Sequence, residues 1–247
     1  MDAITPVESQ GNYFFKRDDY YRVADVCGGK ARTCWALALP AQRGLVTAGS
    51  RFSPQCKIVA HVAHAHGIAC HIHTTFGDVT PELYAAKLMG AKIHHHRPGH
   101  NNVIIKRARD DAIKNDYTEI PFGMECTEAI KQTAKQTENL PPEAKRIVIP
   151  VGSGMSLAGV LYGLHLANNT TPVLGVCVGA SPLRRLDKYA PPLFNWRLQT
   201  TLVDSLLPYH EYWPEPHIAG IELDPIYEAK CLPYLKEGDL LWIVGIR

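Results

Sequence analysis

Between Arg146 and Leu166 the chain commits itself to a narrow set of folds. The apolar run Arg146-Ile147-Val148-Ile149-Pro150-Val151 leads straight into Gly152-Ser153-Gly154-Met155-Ser156, which opens a second apolar stretch from Leu157 to Leu166. The first run reads as a β-strand, the glycines as a tight turn and the second stretch as a helix. The same alternation recurs along the rest of the chain. Strands are expected at Tyr13–Arg17, Leu45–Ala48, Ile68–His73, Ala91–Ile93, Tyr117–Ile120, Val173–Val178 and Leu240–Val244. Helices are expected over Lys30–Gln42, from Pro54 with Ser53 as N-cap, over Thr80–Met89, Asn101–Lys114, Glu125–Gln136 and Pro225–Leu235. Ser181–Pro216 reads as a Pro-rich irregular segment. Strands separated by helices at this spacing imply an α/β architecture with mostly parallel sheets and right-handed crossovers.

With 247 residues, 46% of them hydrophobic, the chain can bury one large core or two adjoining ones. A net charge of only +2, from basic residues scattered among acids, provides no basic stripe for a nucleic-acid backbone, so direct nucleic-acid binding is disfavoured. No apolar run approaches the roughly 20 residues of a membrane span, and the N-terminal residues lack a basic-then-apolar leader, so a cytoplasmic address is expected. Seven cysteines without a CxxC spacing suggest small buried apolar residues rather than a disulfide or zinc framework.

Several stretches could carry chemistry. Cys27-Gly28-Gly29-Lys30-Ala31-Arg32 places a lysine in the first turn of an apolar helix, where it can reach into a cleft or lie solvated after a glycine turn. Gly152, Ser153, Gly154, Met155 and Ser156 can converge backbone amides on a phosphate at a helix N-terminus. The competing reading is a plain tight turn, and the stretch is neither a P-loop nor the GxGxxG dinucleotide pattern. Histidines recur at 61, 64 and 66, at 71 and 73, and at 94 to 96, but no HExxH is present. Surface or loop histidines are therefore expected, and no metal site. A serine hydrolase is excluded by the lack of a GxSxG elbow. Ser53 is either a simple N-cap or a hydroxyl available at a strand-to-helix turn.

Taken together, these motifs resemble the pyridoxal-phosphate enzymes of the tryptophan synthase β-like fold, and most of all the branch of 1-aminocyclopropane-1-carboxylate deaminase and D-cysteine desulfhydrase. Phe15-Lys16-Arg17-Asp18-Asp19 followed by Gly28-Gly29-Lys30-Ala31-Arg32 is similar to that branch's "RDD … GGNK-x-R" with one residue fewer. Ser53-Pro54-Gln55 is similar to its "SN(Q/H)", and the loop at Gly152–Ser156 also corresponds. Leu223-Asp224-Pro225-Ile226-Tyr227-Glu228-Ala229-Lys230 is similar to the deaminase's "TDPVYEGK".

The resemblance implies pyridoxal 5'-phosphate as cofactor, held in a cleft between two three-layer α/β domains. Residues 1–32 and 122–247 are expected to form the large domain and 33–121 a small inserted one. It further implies that Lys30 forms the Schiff base and moves protons at or near the substrate Cα, that the amides of Gly152–Ser156 hold the phosphate, and that Glu228 faces the pyridine nitrogen. Ser53, Tyr227 and, from Glu211-Tyr212-Trp213-Pro214, Tyr212 are implied beside the reacting centre. The sequence departs from the family at Pro54, where an asparagine contacts the cofactor's phenolic oxygen, and at Val244-Gly245-Ile246-Arg247, which replaces a glycine-rich end. The expected activity is deamination or β-elimination of an amino acid or amine-bearing derivative through an external aldimine, by a homodimer. Two other readings stay open: decarboxylation or Cα cleavage of an amino-acyl group on a larger carrier such as a modified nucleoside, and a retired enzyme that binds without turnover.

Overall fold

A computed structural model describes residues 3–190 and 195–246; residues 191–194 of the expected irregular segment, and Arg247, lie outside the described residues. In chain order the elements are β1 (Val7–Gln10), β2 (Tyr13–Arg17), β3 (Arg22–Val23), β4 (Val26–Cys27), α1 (Gly29–Ala38), β5 (Gly44–Ala48), α2 (Pro54–Ala65), β6 (Ala69–Thr75), α3 (Pro81–Leu88), β7 (Lys92–His96), α4 (Asn101–Asn115) and β8 (Thr118–Ile120). They continue with α5 (Thr127–Lys135), β9 (Arg146–Val151), α6 (Met155–Leu166), β10 (Val173–Cys177), α7 (Leu183–Tyr189), β11 (Thr200–Asp204), β12 (His217–Ile218), β13 (Ile221–Glu222) and β14 (Asp239–Ile243). The chain divides into two units, one formed by the segments up to Tyr21 and from Cys126 onward, the other by Arg22–Glu125.

The larger unit is built on a six-stranded sheet in the order β1-β2-β14-β9-β10-β11, parallel throughout except for the β1–β2 hairpin. Ile147, Val148, Ile149 and Val151 are all buried, as a central parallel strand covered on both faces requires. Strand alternation sends Phe15, Val148, Leu174, Val176, Leu241 and Ile243 to one face. That face is covered by Ile221, Leu223, Ala229 and Cys231 rather than by α-helices, so the C-terminal segment with its short hairpin and 3-10 turn forms the unit's third layer. The expected helix over Pro225–Leu235 is replaced by a 3-10 turn, Glu228–Tyr234, with Pro233 inside it. Proline lacks the N–H a helix needs there, and the backbone at Tyr227, at φ −111° and ψ −83°, is not helical. The expected irregular segment carries α7 and β11, and β12–β13 form a hairpin before Leu223.

In the smaller unit a four-stranded, all-parallel sheet runs β7-β6-β5-β8. Val46 and Ala48 face α4, packing on Ile104, Ala108 and Ala112. Thr47, on the opposite face, accepts a hydrogen bond from the Gln55 side chain of α2 at 2.8 Å, so the sheet lies between helices. Ser53 and Thr80 cap α2 and α3, each followed by proline at the first helical position. Two expectations are corrected here. Gly28–Arg32 belong to the smaller unit, because α1 packs on α2 and His61 Nδ1 lies 3.1 Å from the carbonyl of Ala24. The histidines at 94 to 96 occupy β7 rather than a loop, and His73, in the strand expected for it, is buried rather than on the surface, at only 4% exposed. Cys34, Cys56, Cys70 and Cys231 are buried, and burial pushes their thiols up, that of Cys56 to about 12. Among the described residues no helix is long and apolar enough to cross a membrane.

Candidate active site

In the larger unit, β9 delivers the chain to Gly152 and α6 begins at Met155. Gly154 takes φ +88°, a conformation that lets the strand turn sharply into the helix and that a side chain would strain. The N-cap residue of α6 is Gly154, which has no side chain to accept the first-turn N–H groups. Uncapped amides at the positive end of a 12-residue helix are suited to an anion.

Tyr227 lies against this turn. A Cβ on Gly152 would fall 2.8 Å from Tyr227 Cε1, so glycine is what lets the ring and the loop meet. The Asp224 carboxylate fixes the tyrosine's backbone by accepting hydrogen bonds from the N–H groups of Ile226 (2.8 Å) and Tyr227 (3.0 Å). The Tyr227 hydroxyl is 2.9 Å from that of Tyr209, whose carbonyl, with that of Pro208, receives the buried ammonium of Lys230. Tyr212, by contrast, is 50% exposed. Sequence reasoning missed Tyr209, which lies three residues upstream of Tyr212 in the same segment; only the contact with Tyr227 singles it out.

Glu228 follows directly. It is fully buried, Oε1 accepts the N–H of Val244 at 2.8 Å, and Oε2 has no hydrogen-bond partner among the described residues. Burial, with the nearby charge of Asp224 adding to it, pushes the carboxyl well above its ordinary range. A buried carboxyl with one vacant oxygen is costly unless a ligand atom satisfies it.

In the smaller unit Gly28, at φ +88° and ψ 179°, makes the turn that starts α1, and its carbonyl accepts the N–H of Arg32 at 3.1 Å. Lys30 is thereby set in the first turn, half-buried, while Ala31–Cys34 face the core. Ser53 caps α2, its hydroxyl accepting the Gln55 N–H at 3.3 Å. Pro54 has no polar side-chain atom, and Gln55 is no substitute for an asparagine there, since its amide donates to Thr47 Oγ1 and the Pro121 carbonyl in the interior.

The residues present fit pyridoxal phosphate. The uncapped α6 terminus suits its phosphate, and the vacant oxygen of Glu228 suits a ring N–H. The model for the family described as "Pyridoxal-phosphate dependent enzyme" matches residues 5–206. A search of curated proteins gives no match. Among solved structures, an ACC deaminase homologue is 19% identical with a TM-score of 0.81, over 98% of this chain and 89% of that one. Threonine deaminase from the organism abbreviated T.th. is 16% identical with a TM-score of 0.69, over 98% and 92%. Serine racemase from Dictyostelium discoideum is 13% identical with a TM-score of 0.67, again over 98% and 92%. At such identities these structures share the fold, tryptophan synthase β-like with mostly parallel sheets, while the family match extends through both units, and on that match the chain belongs to the pyridoxal-phosphate dependent enzymes.

Proposed function

We propose that this protein acts on an amino acid or a related amine by deamination or β-elimination, with Lys30 as the amine that binds the cofactor covalently. The observation that carries the reading is the group formed by the uncapped α6 turn, Tyr227 packed against Gly152, and the orphaned oxygen of Glu228. Bound pyridoxal phosphate supplies an electron sink for charge developing at the substrate Cα. The chain's own groups divide the remaining work. Amides of Gly152, Ser153, Gly154, Met155 and Ser156 bind the phosphate, and Glu228 holds a proton on the ring nitrogen. Tyr227, oriented by Tyr209, moves a proton at the reacting centre; Ser53 orients the substrate carboxylate. Tyr209 thus takes the place that the sequence suggested for Tyr212. The active form on this reading is a homodimer in the cytoplasm.

The reading is tested by loading the protein with pyridoxal phosphate, reducing with borohydride and mapping the modified peptide. The expected result is a single adduct on Lys30, absent from Lys30→Ala, together with ammonia release from at least one member of an amino-acid panel. An adduct that persists in Lys30→Ala overturns the lysine assignment. Carbon dioxide without ammonia would favour decarboxylation, and covalent loading without any product a retired enzyme.

A further inference from the structure

The smaller unit carries a second cluster of chemically capable side chains, and it has no part in the proposed reaction. In the β6–β7 pairing His73 lies opposite His94 and Thr75 opposite His96. Residues two apart share a face, and the pairing of β5 with β6 sets Val46 against His71 and Ala48 against His73, which puts His71 and His73 on the face covered by α4. There they meet Asp111 of α4. Its Oδ2 lies 2.7 Å from His71 Nδ1, 3.0 Å from His73 Nε2 and 4.0 Å from His94 Nε2. Its Oδ1 is held by the side-chain amide of Asn115 at 2.7 Å, which leaves Oδ2 as the oxygen turned toward the imidazoles.

Proton placement follows from the contacts. Arg107 can only donate, so His96 Nδ1, 2.6 Å away, accepts. His96 then donates from Nε2 to His73 Nδ1 at 2.9 Å, and His73 donates from Nε2 to Asp111. His73 is therefore a supporting partner of the carboxylate. His71 donates from Nδ1 to Oδ2 at 2.7 Å and would exchange that proton for a cation, while His94 can direct a lone pair at the space beside Oδ2. His94 Nε2 is buried there with no hydrogen-bond partner among the described residues. One donor atom from each of His71, His94 and Asp111 lies within 4.8 Å of the other two.

We infer that His71, His94 and Asp111 form a binding site for a zinc-type divalent cation, with His73 supporting the Asp111 carboxylate. Two imidazole nitrogens and one carboxylate oxygen are borderline donors of the kind zinc takes, and bonds of about 2.0–2.2 Å in a tetrahedral arrangement put donors about 3.4 Å apart. The separations of 2.7 and 4.0 Å from Oδ2 bracket that value, so small side-chain rotations suffice. The fourth position goes to water, since the three side chains are 13%, 26% and 16% exposed. A cation there ties β6, β7 and α4 together, and its role is to stabilise the smaller unit.

Zinc alone, titrated calorimetrically into the full chain as purified with any cofactor it retains, tests the site. One equivalent is expected to bind and to raise the melting temperature. The His94→Gln variant should bind at least about 100-fold more weakly, because loss of even a supporting partner costs 10–100-fold. His94 makes no hydrogen bond through Nε2, so beyond the cation this variant loses only ring contacts with His71 and His73; it and Asp111→Asn are both checked by circular dichroism. His64→Ala, on the expected surface histidines of α2, should bind like the parent. Failure of the parent to bind at micromolar zinc, or equal affinity in His94→Gln, would overturn the inference. Neither readout depends on the pyridoxal-phosphate chemistry.

Discussion

At the scale of single residues, Glu228 and the Tyr209–Tyr227 pair carry the most specific consequences. Burial raises the Glu228 carboxyl, so the folded chain holds its proton more tightly than the unfolded chain does. As pH rises past the ordinary value of 4.5, the unfolded state releases that proton first and stability falls. In cofactor-free protein Glu228→Gln should therefore melt higher than the parent at neutral pH, with a flatter dependence on pH above 4.5, as thermal melts across pH would record. For the tyrosines, Tyr209→Phe and Tyr227→Phe each remove the 2.9 Å hydroxyl contact and should cost about 1 kcal/mol of stability by denaturant titration. On the proposed reading Tyr227→Phe should also lower kcat by about 10²–10⁴-fold, while Tyr212→Phe, half exposed, should change neither quantity.

At the scale of elements, the strand-to-helix turns do the positioning, and Ser53 shows how two roles can be separated. Its hydroxyl caps α2, so Ser53→Ala should lose about 1 kcal/mol, whereas Ser53→Gly should lose only a few tenths. If the hydroxyl also orients substrate, both variants should raise KM alike despite their different stabilities; if it only caps, neither should. Helix starts of this kind are legible in sequence because the signal is local: Ser53-Pro54 and Thr80-Pro81 each combine a capping oxygen with a proline whose missing N–H is not needed. The turn at Glu228–Tyr234 was not legible as such. Its apolar spacing suits a helix, and what departs is the backbone at Tyr227, at φ −111° and ψ −83°, with Pro233 removing an N–H further on.

At the scale of the whole molecule, the order of strands is not their order in the chain. β14, the last strand, lies between β2 and β9 with all five residues buried, so the sheet of the larger unit closes only when the C-terminal residues arrive. Deletion from Asp239 onward should leave β2 and β9 without a shared partner and abolish the near-ultraviolet circular dichroism and soluble yield of the chain. The sequence by itself determined the α/β alternation, the parallel sheets, the glycine turns at Gly28 and Gly154, and the family that these motifs share. Each of those follows from side-chain periodicity or backbone freedom within a few residues of chain. Only the tertiary structure decided that Gly28–Arg32 join the smaller unit, that Tyr209 rather than Tyr212 meets Tyr227, and that strand histidines converge on Asp111. Those outcomes depend on contacts between residues distant in sequence, where register and packing, not local preference, set which side chains share a face.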